Sequence, residues 1–164
     1  MILFLDTEFT DFTNDRELIS VGLVSLCGMY EFYREVENFD KNKSSEYVKE
    51  VVIPLLGKDA QTVKPRHTVR EELSEWLDQF KHEHSVIAVD YEGDWLLFSD
   101  LVGKVPPFLK VVEVFYDIDV LVSEQYYRDT GQEQHHALND AKANRVGFLA
   151  DYKNRKSDGK KQST

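Results

Sequence analysis

The first 36 residues contain three segments typical of β-strands, and no helical pattern precedes them. Residues 2–5 form a short apolar run. Residues 17–26 and 30–36 follow it and flank Cys27-Gly28-Met29, a sequence typical of a hairpin turn. The chain is therefore predicted to open with three strands, of which the second and third form a hairpin.

Helical and strand patterns follow this opening. Helices are predicted over residues 45–56, 95–102, 119–128 and 137–152, and strands over residues 85–89 and 110–115. A further helix is predicted from Thr68, which forms a capping-box sequence with Glu71 ahead of an apolar stripe. Consecutive strands followed by this alternation predict an α/β fold, in which helices pack on a mixed sheet.

The length of 164 residues suits one domain. We assign this domain to residues 1–152. Residues 153–164 hold five basic residues, one acidic residue and no apolar one, so we expect a disordered basic tail. The sequence shows neither a signal peptide nor an apolar run that could span a bilayer. A single cysteine, Cys27, excludes an internal disulfide and favours a cytoplasmic location.

The charge of the chain limits how it could bind nucleic acid. Thirty acidic residues against 20 basic ones give a net charge of −10. Proteins that grip long nucleic acids by neutralising phosphates are usually basic. If this chain acts on nucleic acid, a metal or a small local patch must therefore supply the attraction. The alternative is an acidic surface that serves solubility alone.

Two carboxylates stand two residues apart at the end of the first apolar run. Asp6 and Glu8 would share one face of a strand. The Asp-x-Glu pattern recurs at Asp15 and Asp90, but only the first copy lies where α/β sheets place their sites. The alternative is an ordinary solvated strand end.

Two further candidates lie at predicted helix starts. His135 stands five residues before Asp140, and Asp94 follows the strand predicted over residues 85–89. His135 could hang beside the helix face that carries Asp140. The alternatives are that His135 is a surface histidine, that Asp140 only interacts favourably with the helix dipole, and that Asp94 is an N-cap residue.

In this order, these residues resemble the three exonuclease motifs of the DEDDh 3′-5′ exonucleases, which have a ribonuclease H-like fold with helices on both faces of the sheet. The resemblance runs over residues 2–148, and the string His135-His-Ala-Leu-Asn-Asp-Ala141 is its most specific part. It is strongest toward single-domain bacterial and phage exoribonucleases akin to ribonuclease AS and ribonuclease T. Many members carry Asn four residues before the second-motif Asp, where this chain has Asp90. It stays open whether Asp94 acts alone or with help from Asp90.

Four crowded carboxylates would repel one another by about 3 kcal/mol per pair at ~5 Å, so hard divalent cations suit such a site. The resemblance implies that Asp6, Glu8, Asp94 and Asp140 hold two cations, Mg²⁺ or Mn²⁺, and that His135 is the general base. It also implies a homodimer that shortens single-stranded RNA from the 3′ end to nucleoside 5′-monophosphates.

Aromatic residues near the motifs are candidates for base stacking. We expect Phe9, Phe12 and Tyr91 to contact substrate, and Trp95 to belong to the core. Two other functions stay open: a DNA exonuclease of proofreading or repair type, and an adaptor that binds nucleic acid without cleaving it.

Overall fold

The fold is built on a six-stranded mixed sheet. The computed structural model describes residues 1–82 and 84–161, with backbone alone for residues 157–161. The strands are β1 (Ile2–Phe9), β2 (Leu18–Ser25), β3 (Glu31–Val36), β4 (Val63–Lys64), β5 (Ser85–Val89) and β6 (Leu109–Glu113). Their order across the sheet is β4-β3-β2-β1-β5-β6. The first three strands pair antiparallel, whereas β3–β4, β1–β5 and β5–β6 pair parallel. The predicted mixed α/β sheet is therefore confirmed.

Four α-helices accompany the sheet: α1 (Arg66–Asp78), α2 (Glu92–Val102), α3 (Val120–Thr130) and α4 (Ala137–Lys161). The segment predicted as a helix over residues 45–56 is irregular, with a π-helix at Val48–Val52 followed by a 3₁₀ turn at Ile53–Leu55. The capping box predicted at Thr68 is wrong, because α1 begins earlier, at Arg66, after Pro65. The carbonyl of Pro65 accepts the backbone N–H of Val69, so Thr68 lies inside the first turn.

Helices cover both faces of the sheet, and the alternating side chains of β1 contact helices on each face. Leu3 and Leu5 belong to a core that includes residues of α1 and α2. Phe4 points to the opposite face, where its ring contacts Phe148 of α4 edge-on at 5.3 Å. The strand pairs with β5 only from Ile2 to Phe4. The second half of β1, with Asp6 and Glu8, therefore extends beyond that pairing.

Helix α4 lies directly on the sheet at its first turn. Gly22 of β2 is the register partner of Asp6, and a Cβ atom at Gly22 would lie 2.3 Å from the backbone nitrogen of Leu138. Since real Cβ atoms do not approach a backbone so closely, only glycine permits this contact. The absence of a side chain at Gly22 thus brings the start of α4 beside Asp6.

The basic tail is predicted to be disordered, whereas its residues 153–161 continue α4 to Lys161. Arg155 explains part of this continuation, because it forms ion pairs with Asp151 one turn earlier and with Asp117. Residues 162–164 of the predicted tail lie outside the described residues. Among the helices of the described chain, none combines the length and hydrophobicity needed to cross a membrane.

Candidate active site

The predicted site residues line one cavity of about 470 Å³ at the extended end of β1. Carboxylates and one histidine form its polar part: Asp6, Glu8, Asp90, Asp94, His135 and Asp140. Phe9, Phe12, Tyr47 and Tyr91 are its aromatic part. Three segments that are distant in sequence therefore meet at this cavity, and Asp90 and Tyr47 also line it.

The acidic side chains form two groups that could each hold a cation. In one group, carboxylate oxygens of Asp6, Asp90 and Asp94 lie within 4.8 Å of one another. In the other, ligand atoms of Glu8, His135 and Asp140 lie within the same distance. Asp90 is thus a candidate ligand beside Asp94.

Asp94 is buried and its carboxylate is fixed by β1. Its Oδ1 atom accepts the hydroxyl of Thr7 at 2.6 Å and the backbone N–H of Thr7 at 3.2 Å. The alternative of an N-cap is wrong, because α2 begins at Glu92 with Tyr91 as its N-cap residue. Asp94 lies in the first turn and turns its side chain toward the sheet.

Asp140 is fixed at both carboxylate oxygens. The hydroxyl of Tyr127, from α3, donates to Oδ1 at 2.8 Å, and the backbone N–H of His135 donates to Oδ2 at 3.0 Å. His135 has φ of +61°, a left-handed conformation that is uncommon for a residue other than glycine. The imidazole receives support from Tyr47, whose hydroxyl lies 2.7 Å from Nε2.

Sequence reasoning missed Tyr47 and Tyr127. Tyr47 is 88 residues from His135, and Tyr127 lies on a helix with no acidic motif of its own. Nothing in the local pattern around either residue predicts these contacts. His136, by contrast, does not line the cavity, and its ring stacks on Tyr33 at 4.1 Å.

The carboxylates carry strongly perturbed proton affinities. Burial, with added repulsion from neighbouring acids, raises the pKa of Glu8 to about 8 and that of Asp6 well above its usual value. Burial also raises the pKa of Asp94 to about 7 and that of Asp140 to about 6, although hydrogen bonds from Thr7 and Tyr127 oppose these shifts. Ionising all of these groups together requires positive charge between them.

This donor set fits divalent cations. Carboxylate oxygens are hard ligands of the kind that Mg²⁺ and Mn²⁺ prefer. The charges of Asp94, in one ligand group, and of Asp140, in the other, both raise the pKa of Asp6. Burial lowers the pKa of His135, which favours the neutral imidazole that can accept a proton.

Three aromatic rings form one wall of the cavity. The ring centroids of Phe9 and Phe12 are 5.1 Å apart, and Tyr91 lies 6.2 Å from the first and 5.9 Å from the second. Phe12 is 75% exposed, so most of its ring surface is free to contact another molecule. Trp95 packs against the core and stacks on Phe98, as expected.

The guanidinium of Arg16 is a basic group beside this wall, and the sequence analysis did not single it out. It lies 5.6 Å from the ring centroid of Phe9. It also lowers the proton affinity of Asp94 through its charge. A local positive charge therefore borders the acidic cavity.

Comparisons with known proteins find relatives for part of the sequence. Two curated relatives, 3′-5′ exoribonucleases from two strains of Mycobacterium tuberculosis, are 36% identical over 78 residues, which is 47% of this chain. The match spans about half of their own length, 46%. No family model matches the sequence.

Solved structures extend the likeness to nearly the whole chain. A 3′-exonuclease that recognises the 3′ end of a histone mRNA stem-loop matches with a TM-score of 0.59 and 16% identity, over 92% of this chain and 62% of its own. A full-length 3′-exonuclease matches with a TM-score of 0.60 and 15% identity, over 95% of this chain and 82% of its own. The expected ribonuclease H-like fold is therefore confirmed.

Proposed function

We propose that this protein is a divalent-metal-dependent 3′-5′ exoribonuclease that releases nucleoside 5′-monophosphates from the 3′ end of single-stranded RNA. The observation that carries the proposal is the convergence of five carboxylates and His135 on one cavity, with rings beside them. The partial likeness to named exoribonucleases supports RNA as the substrate.

Asp6, Glu8, Asp94 and Asp140 would hold the two cations. Asp90 lies close enough to Asp6 and Asp94 to be a fifth ligand. When bound, such cations neutralise the scissile phosphate, favour ionisation of a water and stabilise the leaving 3′ oxygen. This also explains how a chain with a net charge of −10 could engage RNA.

His135 is the proposed general base. Its burial favours the neutral ring, and its backbone N–H holds Asp140, so base and ligand are positioned by one contact. The imidazole would take a proton from a water whose oxygen bonds to phosphorus, the P–O bond to the 3′ oxygen would break, and that oxygen would take up a proton from solvent to leave a 3′-hydroxyl on the shortened RNA. Phe9, Phe12 and Tyr91 would stack on the terminal bases and keep the 3′ end in register.

The deciding experiment is digestion of 5′-labelled single-stranded RNA and DNA of one sequence, resolved on a gel, with Mg²⁺, with Mn²⁺ and with EDTA. We expect a ladder that shortens from the 3′ end, faster on RNA, and that EDTA abolishes. Faster shortening of DNA would favour a proofreading or repair exonuclease. Tight binding without cleavage in either metal would favour an adaptor and overturn the proposal.

We also propose a homodimer in the cytoplasm. The cysteine Cys27 is a free thiol, which suits a reducing compartment. Val111 and Val112 on edge strand β6, with Leu121 of α3, are exposed apolar residues that a second copy could cover. Light scattering after size-exclusion chromatography gives the mass, and a value near 19 kDa would exclude the dimer.

A further inference from the structure

We propose that Tyr47 is a positioning residue for the general base: its hydroxyl holds the imidazole of His135 in place over the acidic cavity. This inference rests on the proposed function, since it assigns a role within that site. The contact joins two segments 88 residues apart. Neither the acidic motifs nor the cation ligands include Tyr47.

The geometry of the pair fits a hydrogen bond that fixes ring orientation. The Tyr47 hydroxyl lies 2.7 Å from Nε2 of His135, and the two rings are perpendicular with centroids 5.4 Å apart. In the neutral tautomer that can act as a base, Nε2–H donates to the Tyr47 hydroxyl and Nδ1 keeps the lone pair that accepts a proton. Both rings line the cavity.

Tyr47 itself is anchored by its neighbours. The backbone N–H of Ser45 donates to the carbonyl of Thr10 at 2.9 Å, and the Ser45 hydroxyl accepts the N–H of Val48 at 3.2 Å. Val48 and Val52 are buried against Ile19 of the sheet. The π-helix that follows Tyr47 is thus held on both sides, and π-helices occur frequently at functional sites.

His135, in contrast, lies outside regular structure. It stands between α3 and α4 with φ of +61°, so its backbone alone does not lock the ring. The same loop carries Glu133, which forms an ion pair with Lys58 and whose carbonyl accepts the side-chain amide of Asn139 at 2.9 Å. The segment 47–58 therefore contacts this loop twice, through Tyr47 and through Lys58. Of these two contacts, only that of Tyr47 is with the imidazole of His135.

A general base must stay within about 3 Å of the proton that it accepts, and small misplacements reduce the rate strongly. The ring of Tyr47 would pack equally well without its hydroxyl. Loss of the hydroxyl alone should therefore slow the chemical step and leave substrate and cation binding intact.

The test compares Tyr47→Phe with wild type and with Tyr30→Phe, a control in the hairpin between β2 and β3. We expect kcat on single-stranded RNA to fall roughly tenfold in Tyr47→Phe, the rate equivalent of one lost hydrogen bond. KM for RNA and the calorimetric Kd for Mn²⁺ should stay within about twofold, as should all constants of Tyr30→Phe.

A double-mutant cycle with His135→Ala isolates the route of the effect. If Tyr47 acts through His135, Tyr47→Phe should not lower kcat further in the His135→Ala background. The ¹⁵N signal of the His135 ring should also move in Tyr47→Phe, whereas that of His136 should not.

Three results would overturn the proposal: an unchanged or higher kcat in Tyr47→Phe, an equal fall in the His135→Ala background, or an unmoved His135 signal. A rise in KM alone would make Tyr47 a substrate contact instead. Wild-type protein that fails to shorten RNA would refute the proposed function, while the ring signal would still report whether Tyr47 holds His135.

Discussion

Thr7 and Asp94 are joined by two hydrogen bonds that converge on a single oxygen: the hydroxyl and the backbone N–H of Thr7 both donate to Oδ1 of Asp94. Thr7 is buried and lies between Asp6 and Glu8 in β1. The alternation of the strand thus sends Thr7 toward α2, while the flanking acids face the cavity. One strand thereby supplies acids to the site and orients a third acid from a helix.

We expect Thr7→Val to weaken cation binding without unfolding the protein. The shape of the side chain is kept, but the 2.6 Å bond to Asp94 is lost, which should cost about 1 kcal/mol of stability. The Kd for Mn²⁺, measured by calorimetry, should rise roughly tenfold. Thr7→Ser keeps the hydroxyl and should bind Mn²⁺ like wild type. Equal Kd values for all three proteins would show that Thr7 does not orient Asp94.

Asp90 permits a direct test of the fifth carboxylate. Its Oδ1 atom is buried and has no hydrogen-bond partner among the described residues, and the group lies with Asp6 and Asp94. We expect Asp90→Asn to raise the Kd for Mn²⁺ at least roughly tenfold, as loss of a ligand does. Asp78→Asn, at an exposed carboxyl at the end of α1, removes the same charge and is the control. If both variants lower affinity equally, Asp90 contributes only through overall charge.

The sequence predicted the acids of the site because each lies at a recognisable place in the chain. Asp6 and Glu8 share a strand face, Asp94 directly precedes a predicted helix, and Asp140 lies in the first turn of another. The supporting contacts were not predictable in this way. Tyr47 reaches His135 across 88 residues, so only tertiary packing determines that pairing.

Local signals also failed where a stronger constraint competed with them. Thr68 and Glu71 form a capping-box sequence, yet Pro65 starts α1 three residues earlier. The segment over residues 45–56 has a helical pattern, yet Val48–Val52 adopts a π-helix that packs on Ile19. The tail from Lys153 lacks apolar residues, yet ion pairs of Arg155 accompany its helical continuation.

The stability of the metal-free protein should depend on pH with an unusual sign. Burial and mutual repulsion raise the pKa of Glu8 to about 8 and that of Asp94 to about 7, above their values in an unfolded chain. Raised folded-state values mean that the unfolded chain loses these protons first, so stability is greatest below about pH 4 for these groups and falls as pH rises through 7 to 8.

We therefore expect Tm in EDTA to fall by at least about 5 °C between pH 5.5 and pH 8.5. Excess Mg²⁺ should raise Tm more at pH 8.5 than at pH 5.5, because cations and protons compete for the same carboxylates. Differential scanning calorimetry provides both comparisons. A Glu8→Gln variant should show a smaller fall in EDTA. A Tm that rises with pH in EDTA would mean that these carboxyls are not the groups that control stability.

Phe12 offers a clean test of base stacking. It is 75% exposed and contacts Phe9 and Tyr91, whereas Phe9 also packs on the core. We expect Phe12→Ala to raise KM for RNA by roughly 5- to 160-fold, from a stacking energy of ~1–3 kcal/mol, with little change in Tm. Tyr116→Ala removes another exposed ring, one that does not line the cavity, and should leave KM unchanged. An unchanged KM in Phe12→Ala would dismiss the stacking role.

Gly22 links the fold to the site most directly. Its lack of a side chain lets the first turn of α4 rest on β2, opposite Asp6, and α4 carries Asp140. An added methyl would meet backbone atoms of Ala137 and Leu138 at 2.3 to 2.5 Å, and neither the sheet nor the helix can yield there cheaply. We expect Gly22→Ala to lower the free energy of unfolding by about 3 kcal/mol.

A matched control is Gly57→Ala. Gly57 has φ of +71° but nothing within 4 Å of an added Cβ, so its substitution costs backbone strain alone, about 1 kcal/mol. Urea unfolding measures both values. Where Gly22→Ala stays folded, its Kd for Mn²⁺ should rise, because the start of α4 must move away from the sheet and carry Asp140 with it. Gly57→Ala should bind Mn²⁺ normally. Equal losses of stability with unchanged cation affinity in both variants would show that the contact between α4 and Gly22 does not control cation binding.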